Sequence, residues 1–107
     1  NQAGIARNDG TGGLLPPTTY SAGAFPIAID FGDLNGDGHL DLSTSAFTGH
    51  IFRLRLNNGT GGFGSATDLP APGAGSCTVL HDVDGDGDLD VTGIDEIADR
   101  VYIFRQN

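Results

Sequence analysis

Phe31-Gly32-Asp33-Leu34-Asn35-Gly36-Asp37-Gly38-His39-Leu40-Asp41-Leu42 is matched further along the chain by Leu80-His81-Asp82-Val83-Asp84-Gly85-Asp86-Gly87-Asp88-Leu89-Asp90-Val91. Asp33 and Asp82 stand 49 residues apart. The same spacing relates Asn8-Asp9-Gly10-Thr11-Gly12-Gly13-Leu14 to Asn57-Asn58-Gly59-Thr60-Gly61-Gly62-Phe63. Past the acidic segment, Ile51-Phe52-Arg53-Leu54-Arg55 aligns with Val101-Tyr102-Ile103-Phe104-Arg105 at a spacing of 50, which predicts one inserted residue before that strand. Self-similarity at a fixed period marks a repeat architecture. The chain reads as about two copies of one unit, entered partway through.

Each unit reads as short strands. Ile27 and Ile29 alternate with small residues ahead of the first acidic segment, and Leu40, Leu42 and Thr44 alternate after it. In Ile51 to Leu56, Arg53 and Arg55 fall on one face and Phe52, Leu54 and Leu56 on the other. Phe63 to Leu69 forms a weaker fourth strand before Pro70 and Pro72. Period-2 patterning, Gly-rich turns and the lack of a helical stripe predict an all-β fold. A four-stranded unit at this period fits a propeller blade. The expected architecture is about two four-stranded antiparallel blades. Residues 1–25 would give a partial blade (third and fourth strands), 26–74 a blade with the first acidic loop, and 75–107 a partial blade with the second.

Composition excludes several classes. The 107 residues carry 14 acidic and 5 basic side chains, all five of them Arg, for a net charge of −9. A nucleic-acid binder would present a basic face. No apolar run approaches the roughly 20 residues that span a bilayer, so no membrane insertion is expected. Asn1 to Asp9 has neither the basic end nor the apolar core of a signal peptide. The single cysteine, Cys77, excludes an internal disulfide framework.

The acidic segments have the form D-x-[DN]-x-D-G-x-x-D. Side chains at the first, third and fifth positions of a tight loop can turn inward together, and glycine at the sixth permits the sharp turn. Ca²⁺ takes about 6–8 oxygen ligands. The expected ligands are Asp33, Asn35, Asp37 and Asp41 with the carbonyl of His39, then Asp82, Asp84, Asp86 and Asp90 with the carbonyl of Asp88. That gives two Ca²⁺ per chain. Without a cation, carboxylates this close repel. An EF-hand would need a bidentate Glu at the twelfth position, where Thr44 and Gly93 stand. Mg²⁺ keeps its waters and fits an all-protein cage less well. The bland alternative is a solvated Asp-Gly turn.

Both acidic loops, together with Asn58-Gly59-Thr60-Gly61-Gly62-Phe63-Gly64, resemble FG-GAP/VCBS repeats, the blades of integrin-α-type β-propellers. The resemblance implies that the loop between the first two strands of a blade binds Ca²⁺ through the residues named above. It also implies a secreted or extracellular setting with roles in adhesion, ligand binding or scaffolding. Complete members carry six to eight blades, whereas this chain has about two.

Other residues invite competing readings. His39 offers its carbonyl, so its ring should point to solvent; His81 aligns with Gly32; His50 opens a strand. Asp30, opposite Val79 in the second copy, reads as a surface or supporting acid. Cys77 aligns with Ala28 and reads as a small buried residue. Asn58-Gly59-Thr60 is an N-x-T sequon, a glycosylation candidate, although Asn-Gly is also a good turn. Phe25, Phe31, Phe47, Phe52, Phe63 and Phe104 should fill space between blades. No Ser-His-Asp set or phosphate cradle is legible, so no enzyme is expected. The expectation is a calcium-binding structural or self-assembling module. A propeller-type lectin with a glycan ligand between blades, using amides such as Asn57, Asn58 or Gln106, is the alternative, as is a non-catalytic part of a larger secreted protein. Incomplete end blades should drive self-association, with Val101 to Gln106 pairing near a neighbour's N-terminal segment.

Overall fold

Gly-rich turns cut the chain into nine strands and no helix in the computed structural model, which describes residues 1–107. The strands are β1 (Gln2–Ile5), β2 (Thr18–Ser21), β3 (Pro26–Gly32), β4 (Asp41–Ala46), β5 (Ile51–Asn57), β6 (Phe63–Pro70), β7 (Gly75–His81), β8 (Asp90–Asp95) and β9 (Arg100–Phe104). They form three sheets in sequence order, β1-β2, β3-β4-β5-β6 and β7-β8-β9. Every neighbouring pair is antiparallel. The fold is therefore all-β, as the alternation implies, but only one sheet has four strands. The other two have two and three, because the chain enters the repeat at a third strand and carries only the first three strands of its last unit.

Strand register corrects the spacing of 50. Ala46 pairs with Ile51, and Asp95 pairs with Arg100; Leu42 pairs with Arg55, and Val91 with Phe104. The spacing thus stays at 49 through the third strand, and no residue is inserted. Arg53 and Arg55 are equivalent to Tyr102 and Phe104, while Phe52 and Leu54 are equivalent to Val101 and Ile103. A one-residue slip sends every side chain to the other face, so matching aromatic to aromatic had inverted β9. The turns fix this register. His50 and Asp99 close their hairpins with φ of 56° and 52°, so His50 belongs to a turn and not to a strand. Both β3-β4 and β7-β8 also carry an irregularity at equivalent places, between Pro26 and Ala28 and between Gly75 and Cys77.

β4 does not alternate. All six of its residues are buried, and Leu40, outside the strand, is 58% exposed. Sheets cover β4 on both faces. Thr44 Oγ1 donates to the Ala22 carbonyl just after β2, and Ser43 Oγ shares a hydrogen bond with Thr78 Oγ1 of β7 at 2.6 Å. Small side chains let the layers approach, and their hydroxyls find partners across the gap. Between the second and third sheets, Leu34, Leu80 and Val91 form a core with Leu54, Leu69, Leu89 and Phe104 against it. Phe52 is fully buried, with its ring where a Cβ on Gly93 would stand. Asp30 joins the same two sheets, its Oδ2 accepting from the Leu80 N–H at 2.7 Å.

The first and second sheets meet through polar and aromatic groups. Arg53 makes a two-pronged contact with Asp68 at 2.6 and 2.7 Å and donates to Ser21 Oγ. Arg55 reaches the Ser21 carbonyl and lies 5.9 Å over the Tyr20 ring. Tyr20 and Phe63 pack edge to face with centroids 5.3 Å apart. Phe31 and Phe104 pack similarly against Phe63 and Phe52. Phe25 departs from the expectation: it is 61% exposed, at φ 54°, touching only Phe47 among the aromatics.

Candidate metal loops

Each acidic loop joins the first two strands of its sheet, β3 to β4 and β7 to β8. Two glycines in each take positive φ, Gly36 and Gly38 at 71° and 84°, Gly85 and Gly87 at 80° and 97°. This left-handed backbone winds the chain tightly enough to bring alternate side chains together. In the second loop, carboxylate oxygens of Asp82, Asp84 and Asp86 lie within 4.8 Å of one another. Asp82 accepts from the N–H groups of Gly85 and Gly87 at 2.6 and 2.9 Å, and Asp86 from that of Asp88 at 3.0 Å. The Gly87 N–H, with help from Gly85, holds the Asp82 carboxyl below the ordinary carboxylate value against a smaller opposing effect of burial. Asp88 is exposed, with its side chain outside the cluster.

The first loop converges the same positions with an amide among them. Asn35 Nδ2 donates to Asp37 Oδ2 at 3.0 Å, and the Asp37 N–H donates to Asp33 Oδ1 and Asn35 Oδ1 at 3.1 and 3.2 Å. Gly38 N–H donates to Asp33 Oδ2 at 2.7 Å. The Asp37 carboxyl is held low, first by the His39 N–H and then by the Asn35 amide.

Asp41 and Asp90, at the ninth position, do something the spacing alone did not reveal. Both are fully buried. Asp41 accepts from Leu34 N–H at 2.8 Å and from Asn57 N–H at 2.7 Å. Asp90 accepts from Val83 N–H at 3.0 Å and from Gln106 N–H at 2.8 Å. Each carboxylate ties the front of its loop to the end of the third strand, one hydrogen bond per oxygen. A carboxylate has about four lone-pair sites, so this role and ligation are compatible. The donor set is oxygen throughout, which suits a hard cation such as Ca²⁺. By chemistry and convergence, Asp82, Asp84 and Asp86 fit the ion best.

The histidines lie elsewhere. His39 is exposed, with its ring beside the Gly59 turn. His50 Nδ1 is 2.7 Å from the Gly73 carbonyl, and His81 Nε2 is 2.9 Å from Thr92 Oγ1. Cys77 is a free thiol and only half-buried, because its side of β7 faces away from the second sheet. Asn58 Oδ1 accepts from Thr60 N–H, Thr60 Oγ1 and Gly62 N–H at 3.0, 2.7 and 3.1 Å. Asp9 Oδ1 accepts from Thr11 N–H, Thr11 Oγ1 and Gly13 N–H at 2.8, 2.8 and 3.0 Å, the same three bonds 49 residues earlier. The amides proposed for sugar contact are engaged within the chain: Asn57 Nδ2 donates to the Leu40 carbonyl and Gln106 Nε2 to that of Leu34.

Sequence reasoning missed Asp95. It is fully buried at the end of β8 and accepts from the N–H groups of Gly73, Ala74 and Ala98 at 2.7, 2.7 and 3.0 Å. Burial works to raise its pKa, and the backbone donors, led by Gly73, outweigh that and leave it low. The equivalent residue is Ala46, so the repeat offered no signal. The one available hint was a lone Asp at a strand end before a tight turn.

Neither the curated proteins nor the solved structures give a match to the chain. Residues 1–44, which take in β1 to β3, the first acidic loop and the start of β4, match the family model described as an FG-GAP-like repeat. By that match the chain carries an FG-GAP-like repeat, whose acidic loop recurs 49 residues later.

Proposed function

We propose that this chain is a non-enzymatic, calcium-binding repeat module of propeller type that acts outside the cell as a structural or adhesive element. The observation that carries the reading is the convergence of the Asp82, Asp84 and Asp86 carboxylates on an oxygen-only site within 4.8 Å. FG-GAP-like repeats are in general non-catalytic structural modules of extracellular or cell-surface proteins, which supports the same assignment. Asp82, Asp84 and Asp86 hold one ion, and Asp33, Asn35 and Asp37 a second; Asp41 and Asp90 steady the two loops, and the His39 and Asp88 carbonyls complete the shells. The ion supplies charge neutralisation and cross-links each loop. The module works within a row of like units, since Ile27, Ile29 and Phe31 on one end and Val79, Ile94, Val101 and Ile103 on the other expose apolar side chains. Each such face in a repeat array is normally covered by a neighbour, and further copies of this chain supply one.

The test is calorimetric titration with Ca²⁺ and with Mg²⁺, alongside thermal melting and light scattering in calcium and in chelator. Two calcium sites, a lower melting temperature on chelation and assembly above the monomer mass are expected. Melting that ignores chelator removes the metal reading, and a compact monomer at micromolar concentration removes the assembly reading.

A further inference from the structure

We propose that the groove beside β9 is the seat of an extended strand from an adjoining repeat unit, which adds to the free edge of the third sheet. The proposal rests on the reading that 49-residue units stack face to face. The groove holds about 470 Å³ and is lined by Leu34, Leu54, Leu56, Thr67 and Gln106 among others. It exists because β5 is paired on its outer side by β6, whereas β9, its equivalent, has no strand beyond it.

The chain contains its own filled version of this seat. One interface earlier, Ile5, Arg7 and Asn57 surround Phe63, and these three are the 49-residue equivalents of Leu54, Leu56 and Gln106. There Phe63, at the start of β6, packs edge to face on Tyr20, and its N–H donates to the Tyr20 hydroxyl at 3.3 Å. At the later interface the lining is present and the side chain that fills it is not. An edge strand with unpaired N–H and C=O groups beside an apolar groove is the geometry of strand addition, in which backbone bonds hold the peptide and alternate side chains read the groove.

Register makes the occupant specific. β5 pairs with β6 as Phe52 to Leu69, Arg53 to Asp68, Arg55 to Ala66 and Asn57 to Phe63. Carried to β9, the incoming strand sets an aromatic or leucine opposite Gln106, a small residue opposite Phe104 and a leucine opposite Val101. The position opposite Tyr102 differs in kind. On β5 the cation Arg53 meets Asp68 there; Tyr102 offers no charge, and an acid facing the groove would be desolvated without a partner. The chain's other fourth strand places Thr19 at that position, opposite Gly4. The occupant is therefore an uncharged strand that begins with Gly-Gly-Phe or Gly-Gly-Leu.

The test titrates a synthetic peptide with the sequence of residues 58–71, carrying Asp68→Thr, into the full chain, with hydrogen exchange read along β9. Saturable binding with at least tenfold slower exchange in β9 is expected, and about tenfold weaker binding of the unaltered peptide. Leu56→Asp in the full chain should weaken binding about tenfold through the lost apolar contact. Ile103→Thr, on the other face of β9, should leave it unchanged. Equal affinity for both peptides, or unaltered β9 exchange at saturation, overturns the proposal. So does protection of β9 that rises with protein concentration in the absence of peptide, which assigns the edge to a second copy. Running the titration in calcium and in chelator separates this result from the metal reading, which fails on calcium binding alone.

Discussion

At its third position the first acidic loop holds Asn35 and the second Asp84; at the seventh they hold His39 and Asp88. The first loop thus carries three carboxylates and the second five. The backbone hardly notices. Both loops wind through two left-handed glycines, and both are tied down by a buried aspartate bonded to the second loop residue and to the residue 16 positions further on. In the first loop the Asn35 amide donates to Asp37 and relieves some of the repulsion internally. In the second nothing equivalent exists, and the nearest cation is the exposed Arg105, 3.6 Å from Asp84. An exposed contact of that length contributes little. Frame and charge are separable in this repeat: the buried aspartate sets the first, and the exposed positions set the second.

The largest expected effect follows from the shared part. Asp41→Ala and Asp90→Ala each leave two backbone donors without their acceptor in a buried place, at a cost of about 3–5 kcal/mol. Urea unfolding should show the two losses to be alike. A loss under about 1 kcal/mol at either site would mean that the two loops are not held by the same device.

Next come the positions that differ. Asn35→Asp should raise the calcium affinity of the first loop, and Asp84→Asn should lower that of the second, each by about tenfold or about 1.4 kcal/mol, as a carboxylate ligand is gained or lost. An ion bound only by the folded chain stabilises it by about 2.7 kcal/mol at a hundred times its dissociation constant. The drop in melting temperature on chelation should therefore grow in Asn35→Asp and shrink in Asp84→Asn. Unchanged affinities in both variants would remove charge as the distinction between the loops.

The repeat and its loops were legible because they are written in chemistry that only a few residues can supply: glycines at left-handed positions and carboxylates at alternate ones. The strand count followed from period-2 patterning. What failed was parity. Matching Phe52 to Tyr102 by type placed β9 one residue out of register, since no local pattern fixes which face of a strand is inner when apolar residues occupy both. Tyr102 and Phe104 take the place of Arg53 and Arg55, so two equivalent interfaces are built from unlike side chains. The burial of β4 was likewise invisible, because Ser43, Thr44 and Ser45 look like surface residues until a second sheet covers them. Ser45 shows the consequence: its buried Oγ has no partner.

Acid should act on the unlike residues. Asp68 is held low first by its hydrogen bonds from Arg53, partly offset by burial; Asp95 is held low by backbone donors that outweigh its burial. For both, the folded-state pKa lies below the ordinary value of 3.8. Their stabilisation is complete above that value and is lost as pH falls through the lower folded-state values. With chelator present, the melting temperature should fall as pH drops below about 4, and the fall should be shallower in Asp68→Asn and in Asp95→Asn. An unchanged slope in both variants would assign the acid sensitivity to the loops.

The smallest effect concerns the turns that the two copies share. Asn58 and Asp9 accept the same three hydrogen bonds, so the turn requires an oxygen at this position and is indifferent to whether an amide or a carboxylate supplies it. The backbone N–H of Asn58 bonds to the Gly62 carbonyl at 2.9 Å, as that of Asp9 does to Gly13 at 3.0 Å. Asn58→Asp should accordingly change stability by no more than about 0.5 kcal/mol near neutral pH, whereas Asn58→Ala should cost about 1 kcal/mol through the lost acceptor. At Asp9 the Thr11 N–H is the chief cause of a lowered pKa, so an aspartate at position 58 should behave alike and weaken the turn only as pH falls below the usual carboxylate range. Thr60→Val should reproduce part of the alanine loss by removing the hydroxyl donor. If Asn58→Asp were as damaging as Asn58→Ala, the amide nitrogen would be the group that matters, and the sequon would regain its claim on this asparagine over the turn.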